Sequence, residues 1–200
     1  MAAVGLFPLG IVLLPTEQVP LHIFEPRYRE LIGECRNDGT PFGLVLVDDA
    51  GGIREVGTLA HILEAEELGD GRYNIVVEGR ERFRILERTE GRSFMTAEVE
   101  PVSDVPSPPP GATITRALDL FDRLVALTGS DLERPAEGHP QLSYAIAGHF
   151  ELDAEVKQRL LEELAETPRL DSVLELLERS YAAIVARREV AARAQTNGKH

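Results

Sequence analysis

The feature that most constrains the fold of this 200-residue chain is a change of pattern at PVSDVPSPPPG, residues 101–111. Before it, short apolar runs with β-branched residues alternate with glycine-containing turns, which is typical of strands. After it, apolar residues recur at intervals of three and four, which is typical of amphipathic helices. Prolines are excluded from sheet interiors and favour an extended backbone, so the stretch predicts a connector between a β part and an α part. The alternative is a ligand for a domain that reads proline-rich peptides.

The β part, residues 1–103, predicts a small barrel or sandwich of short strands. A tight turn is predicted at Gly79, which would make a hairpin of the runs on either side of it. Arg82 and Arg84 alternate with apolar Phe83, which predicts that both arginines face outward. Residues 56–67 are apolar on both alternating faces, which predicts a strand covered on both sides. The predicted strands after the first helix are 42–47, 56–67, 72–78, 81–90 and 94–102.

One helix is predicted inside the β part, at residues 26–36, directly after a strand at 19–24. Pro26 suits the first turn of a helix, and Glu25 stands where the helix dipole favours a carboxylate. Four residues at helical spacing form the predicted buried face: Tyr28, Leu31, Ile32 and Cys35. The polar cluster around Glu25 is therefore interpreted as a strand-to-helix transition; the alternative, a catalytic cluster, has no nucleophile or paired carboxylate nearby.

The α part begins after a connector at 104–111 and forms a predicted helical bundle over 112–195, followed by a disordered tail at 196–200. The last helix is predicted to open at Thr167 as the N-cap, with Pro168 at its first position. Helices are predicted at 113–129, 140–150, 153–166 and from Thr167 to about residue 195. The sequence thus predicts an α+β fold, a β-barrel followed by a helical bundle.

Charge and composition exclude several classes of function. The net charge is −13, which opposes binding to nucleic acid and to anionic membranes. No apolar segment reaches the ~20 residues of a membrane helix, and the apolar N-terminus lacks the basic residues of a signal peptide. We therefore expect a cytoplasmic protein with no membrane partner.

Motifs for catalysis, cofactors and metals are absent from the sequence. No P-loop, GxGxxG or HExxH pattern occurs, so neither a cofactor nor a metal is expected. The five histidines show no ligand spacing, and His61, inside an apolar strand, is interpreted as a core residue. Cys35 is the only cysteine, and on an apolar helix face it is expected to be inert.

Taken in order, several stretches resemble the N-terminal substrate-recognition domain of the ATP-dependent Lon protease family. The most specific are PLHIFEPRYR at 20–29, VGT at 56–58 and GRERFRI at 79–85, and the resemblance extends from about residue 6 to 187. It implies that the barrel is PUA-like. It also implies a module that binds unfolded or exposed protein segments, with a role in protein quality control as an adaptor or holdase.

A Lon protease also needs an ATPase module with a P-loop and a protease module with a Ser–Lys dyad, and these 200 residues contain neither pattern. Lys157 and Lys199 are the only lysines, and neither is expected to be buried, as a general base would require. We therefore expect a stand-alone, non-catalytic module, with Lon or another protease as a further partner. The alternatives are an RNA-binding module using the PUA-like barrel, which the charge opposes, and a cryptic hydrolase.

Peptide binding requires a partly exposed apolar surface with a polar rim, either in a crevice between barrel and bundle or at a strand edge. The apolar N-terminal region supplies the candidate residues, each of which has ordinary core packing as its alternative: Phe7, Leu14, Leu21, His22, Phe24 and Tyr28.

Overall fold

A computed structural model of the chain describes residues 3–89 and 91–197. The chain divides into two compact units, each considered separately here. The first, the sheet unit, comprises Met1–Val105 and Ala147–Leu164. The second, the helical unit, comprises Pro106–Ile146 and Ala165–His200. Within the described ranges, no helix is both long and apolar enough to span a membrane.

Six strands form one mixed sheet in the order β2-β5-β4-β3-β1-β6, and an additional β5–β6 pairing closes it into a barrel. β1 and β3 run parallel, and the other pairings are antiparallel. β2 is the strand that remains at an edge. The strands are β1 Ala3–Leu9, β2 Gln18–Ile23, β3 Phe42–Leu46, β4 Val56–Glu67, β5 Tyr73–Thr89 and β6 Thr96–Val102.

The predicted turn at Gly79 is wrong, because β5 runs unbroken through it for 17 residues. Gly79 lies opposite Ala60 of β4. A Cβ atom at this position would overlap the carbonyl oxygen of Leu14. The glycine thus allows a close approach of two backbones, which is the other common reason for a glycine inside a strand.

Helix α1, Pro26–Asp38, follows β2 as predicted and buries Tyr28, Leu31, Ile32 and Cys35. It ends at Gly39, whose left-handed φ of 65° closes the helix. The four buried side chains join one apolar core with residues of β1 to β5, including Phe7, Ile23, Phe42, Ile75 and Val77. A smaller cluster forms around Leu6, Val45, Phe83 and Ala97.

Four helices follow β6: α2 Gly111–Thr128, α3 Leu142–Ala147, α4 Ala154–Glu162 and α5 Glu166–Asn197. The predicted α+β class, a barrel followed by helices, is confirmed. α5 begins at Glu166, before the predicted N-cap Thr167, whose hydroxyl instead donates to the Ser107 carbonyl at 2.9 Å. Of the tail predicted at 196–200, residues 198–200 lie outside the described residues and Asn197 still belongs to α5.

α4 belongs to the sheet unit, although the sequence places it in the bundle. Arg82 does not face outward as predicted: its side chain is 2% exposed. It pairs with Asp104 and donates to the carbonyls of Leu161 and Glu163 at 2.7 and 2.9 Å. A buried guanidinium needs such partners, which the local alternation of residues cannot reveal.

The expectation that Lys157 is exposed is also wrong. Its side chain is 12% exposed and forms an ion pair with the buried Glu17. The next residue of α4, Gln158, donates to the carbonyl of Val56 on β4 at 3.1 Å. Polar contacts thus attach α4 to the sheet unit at several points.

In the helical unit, a buried polar cluster connects α3 to the start of α5. The Glu166 carboxylate accepts from the backbone amide and the hydroxyl of Ser143, both at 2.8 Å. Arg169, fully buried, donates to Glu166 at 2.7 Å and stacks over the ring of Tyr144. The charges of Glu166 and Arg169 therefore compensate each other inside the unit.

Candidate functional site

An open groove of about 480 Å³ crosses β2, β5 and β4 on the outer face of the sheet. Alternate residues of these strands, among them Ile23, Ile75 and Val77, pack into the core. The residues between them therefore point outward. The strand register aligns these outward residues in two rows that run across the strands, and the groove lies between the rows.

The first row forms the apolar wall of the groove. Val76 of β5 stands opposite Pro20 of β2 on one side and Glu64 of β4 on the other. Pro20 is compatible with this place because β2 is an edge strand, where a missing amide hydrogen costs no ladder bond. The apolar wall, Pro20 and Val76, therefore ends in a carboxylate on β4.

The second row forms the polar wall of the groove, which consists of His22, Asn74 and Glu66. His22 Nδ1 lies 2.7 Å from Asn74 Oδ1, and the Asn74 amide nitrogen donates to Glu66 at 3.2 Å. Arg72 lies 3.3 Å from His22 Nε2. These contacts fit a tautomer in which Nδ1 donates to Asn74 and Nε2 accepts from Arg72. The wall is thus one connected row of hydrogen bonds.

Arg72 is itself held by Asp70, to which its side chain donates at 2.7 Å. The backbone amide of Arg72 also donates to Asp70 at 3.1 Å and, as the largest influence, lowers the pKa of the Asp70 carboxyl. The positive charge nearest the polar wall is therefore paired with Asp70.

An irregularity in β4 brings the carboxylates to this face. The register shifts between Ile62 and Glu64, so that Leu63 is an extra residue in the strand. Before the shift His61 faces the same side as Glu78, and after it Glu64 and Glu66 take that side. Such bulges redirect the side chains that follow them. Without the extra residue, the side chains of both glutamates would lie on the core side of the sheet.

Phe24, directly after β2, is 61% exposed and lies beside the polar wall. Its ring stacks against His22 with centroids 6.1 Å apart. An aromatic side chain exposed to this degree next to a groove is an available contact surface for a partner.

The predicted peptide-binding residues fall into two sets. Leu21 and His22 line the groove and Phe24 lies beside it. Phe7, Leu14 and Tyr28 are buried in the sheet unit. The rings of Phe7 and Tyr28 lie 4.1 Å apart, and burial raises the pKa of the Tyr28 hydroxyl. These three side chains pack the interior and are not accessible in this structure.

Sequence reasoning missed Val76, Asn74, Glu64 and Glu66. Asn74, Glu64 and Glu66 alternate with apolar residues, whereas Val76 lies inside an apolar run. Only the register between β2, β5 and β4 brings the four to one groove. The bulge at Leu63 has no clear sequence signal, because leucine is an ordinary strand residue.

Other chemically capable side chains do not form a site. His61 is not a core residue as predicted, since its ring is partly exposed and lies 3.1 Å from Glu81. Cys35 is buried, and burial raises the pKa of its thiol. Among the described residues, no three histidine, cysteine or acidic side chains are grouped as metal ligands.

The helical unit has its own groove, of about 650 Å³, between α2 and α5. Arg116 on its wall pairs with Glu178, and the guanidinium of Arg123 lies 4.2 Å from the centre of the Tyr181 ring. Both of these cationic side chains are thus already engaged, which makes this groove a weaker candidate.

Comparison with protein families gives a match over residues 3–179 to the substrate-binding domain of ATP-dependent protease La (LON). Among curated proteins, the chain is similar to Lon protease 2 of Syntrophobacter fumaroxidans, with 30% identity over 76% of the chain and 21% of that protein. It is also similar to Lon protease of Anaeromyxobacter dehalogenans, with 27% identity over 89% of the chain and 23% of that protein. The chain thus spans about a fifth of the length of these relatives.

Two solved structures share the fold. The Lon N-terminal domain protein from Xanthomonas campestris has 27% identity and a TM-score of 0.68, covering 88% of this chain and 98% of that one. The N-terminal domain of Mycobacterium avium complex Lon protease has the same coverage and TM-score at 20% identity, and so supports the fold alone.

Proposed function

Since the chain belongs to the family of LON substrate-binding domains, we propose that it is a non-catalytic module that binds exposed segments of non-native proteins. The observation that carries the proposal is the groove across β2, β5 and β4, with the exposed ring of Phe24 beside it. A groove with one apolar wall and one hydrogen-bonding wall suits a polypeptide, which presents apolar side chains and backbone polar groups together.

The mode of binding follows from the direction of the groove. It runs across the strands, so a segment lying in it contacts side chains of three strands and does not extend the sheet. Addition of a strand to the free edge of β2 is less favourable, because Pro20 lacks an amide hydrogen and interrupts the edge.

The proposed cellular role is that of an adaptor or holdase in protein quality control, with Lon or another protease as partner. The similar full-length proteins bear the name Lon protease. The chain matches about a fifth of the length of those proteins, so the role proposed here is restricted to binding. RNA binding gains no support, because Glu64 and Glu66 stand at the groove and the net charge is −13.

The proposal is tested by measuring the affinity of the protein for a model protein in its native form and in a permanently unfolded, reduced and alkylated form. We expect binding of the unfolded form only. Phe24→Ser should weaken this binding about threefold to tenfold, since the ring loses apolar contact with the ligand. Leu86→Ser is the matched control, because Leu86 is 46% exposed and lies on β5 outside the groove.

Equal binding of the native and unfolded forms, or none of either, would contradict the proposed function. An equal loss of affinity in the Phe24 and Leu86 variants would show that the groove is not the surface involved.

A further inference from the structure

The two ends of the groove differ in chemistry. At the β2 end, Pro20 and the stacked rings of His22 and Phe24 offer apolar and aromatic surface. At the β4 end, Glu64 closes the apolar wall and Glu66 closes the polar wall. The residues are two apart on one strand face, so their side chains lie roughly 7 Å from each other.

The negative charge at the β4 end is not neutralised by neighbouring cations. Within the described part of the chain, the side chain of Glu64 forms no hydrogen bond or ion pair, and the side chain of Glu66 accepts one hydrogen bond from the uncharged Asn74. Arg72, on the β2 side, pairs with Asp70, and Arg36 of α1 pairs with Glu67. Two carboxylates thus face the end of the groove with no positive charge between them.

We propose that the groove selects segments in which a bulky apolar residue and a lysine or arginine stand about three residues apart. The proposal rests on the proposed function and names the class of segment bound. The apolar side chain would lie against Pro20 and His22, whose ring is stacked on Phe24, and the cationic group between Glu64 and Glu66. Two strand spacings separate β2 from β4, roughly 10 Å, which an extended chain covers in about three residues.

Recognition at this end of the groove differs from attraction to the acidic surface in general. A net charge of −13 attracts any basic peptide over a long range, and salt screens that attraction. Recognition by Glu64 and Glu66 is local, and it requires the basic residue at a fixed distance from the apolar one.

The experiment compares short peptides of one composition, labelled with a fluorophore, by anisotropy. In the first peptide a phenylalanine and a lysine are three residues apart, in the second the same two residues are adjacent, and in the third glutamine replaces the lysine. The peptides are made both with phenylalanine before lysine and with lysine before phenylalanine. We expect the first peptide to bind about two to five times more tightly than the third, which is within the range for exposed ion pairs.

Two double variants with the same change in net charge provide the control. Glu64→Gln/Glu66→Gln should remove the preference for the first peptide over the third. Glu133→Gln/Glu137→Gln alters exposed side chains between α2 and α3 and should keep the full preference.

The outcomes separate this inference from the proposed function. If the glutamine peptide binds but the spaced lysine adds nothing, or if the preference survives in Glu64→Gln/Glu66→Gln, the inference is wrong and segment binding stands. Equal loss of preference in both double variants would assign it to general charge and would also overturn the inference. If no peptide and no unfolded protein binds, both proposals fail.

Discussion

At the scale of single residues, Thr16 holds a φ of 69°, a left-handed conformation that β-branched residues rarely adopt. Its backbone amide donates to the Gly79 carbonyl at 2.7 Å. This hydrogen bond attaches the turn that precedes β2 to strand β5. Thr16→Gly should remove the steric cost of the side chain, which is about 1–2 kcal/mol. About half of that gain is offset because glycine loses more conformational entropy when the chain folds. We expect a net gain of about 0.5–1 kcal/mol in urea unfolding. A destabilised variant would show that the Thr16 side chain contributes more than its conformation costs.

Cys35 provides a second test at this scale. Burial is the main cause of its raised thiol pKa, while a hydrogen bond with Thr40 has a smaller, opposite effect. Iodoacetamide should therefore modify native Cys35 far more slowly than the urea-unfolded chain at pH 8, because the thiolate is the reactive form. Equal rates in the two states would contradict the buried position.

The same raised pKa predicts a pH dependence of stability. The folded chain binds the thiol proton more tightly than the unfolded chain does. The resulting contribution to folding stability is fully present below about pH 9 and is lost as the pH rises through the pKa of the thiol in the folded state. Stability should decline above pH 9, and Cys35→Ala should decline less steeply. Parallel declines in the two proteins would assign the effect to other groups.

Residues whose role depends on local spacing could be predicted from the sequence, and residues whose role depends on distant partners could not. The buried face of α1 follows from a helical repeat that the sequence displays. Arg82 and Lys157 were wrongly predicted to be exposed to solvent. The partner of Arg82, Asp104, lies 22 positions away in the sequence, and the partner of Lys157, Glu17, lies 140 positions away. Long-range polar pairing leaves no periodic signal in a single sequence.

At the scale of elements, strands and helices were predicted better than their interruptions. β4 occupies the predicted residues 56–67. The turn predicted at Gly79 is wrong, and the bulge at Leu63 was missed. A glycine suits both a turn and a close approach of strands, and only the position of the Leu14 carbonyl decides between them. The candidate groove was missed for the same reason, since it depends on register and on a bulge.

The junction of α3 and α5 provides a test at the scale of elements. Arg169→Met would leave the Glu166 carboxylate buried without its guanidinium partner. This should cost roughly 3–5 kcal/mol in unfolding free energy, the usual range for breaking one side of a buried ion pair. Arg116→Met is the control, since its pair with Glu178 is exposed and should contribute at most about 1 kcal/mol. Similar small losses in both variants would contradict the structural role of the cluster.

At the scale of the whole molecule, the chain crosses three times between its units. Residues 147–164 return to the sheet unit after α2 and α3, so the boundary at 103 predicted from the sequence separates the barrel from α4. Hydrophobic patterning marks α4 as amphipathic but does not say which partner covers it. The division could therefore not be obtained from composition and periodicity.

A fragment of residues 1–105 tests the contribution of α4 to the sheet unit. It lacks the Leu161 and Glu163 carbonyls that accept from Arg82, and also Lys157, the partner of Glu17. We expect it to unfold at a lower temperature than the whole chain and to bind a hydrophobic dye. Adding a peptide of residues 147–164 should restore part of the stability. If the fragment melts at the full-length temperature and the peptide has no effect, α4 does not stabilise the sheet unit.

Binding of non-native segments in the groove across β2, β5 and β4 can be located by mapping amide chemical shifts with NMR. An unlabelled peptide carrying phenylalanine and lysine three residues apart is titrated into the isotope-labelled protein. We expect the largest saturating shifts at His22, Phe24, Asn74 and Val76, and none at Leu86. Shifts confined to the groove between α2 and α5, around Arg116 and Tyr181, would contradict it.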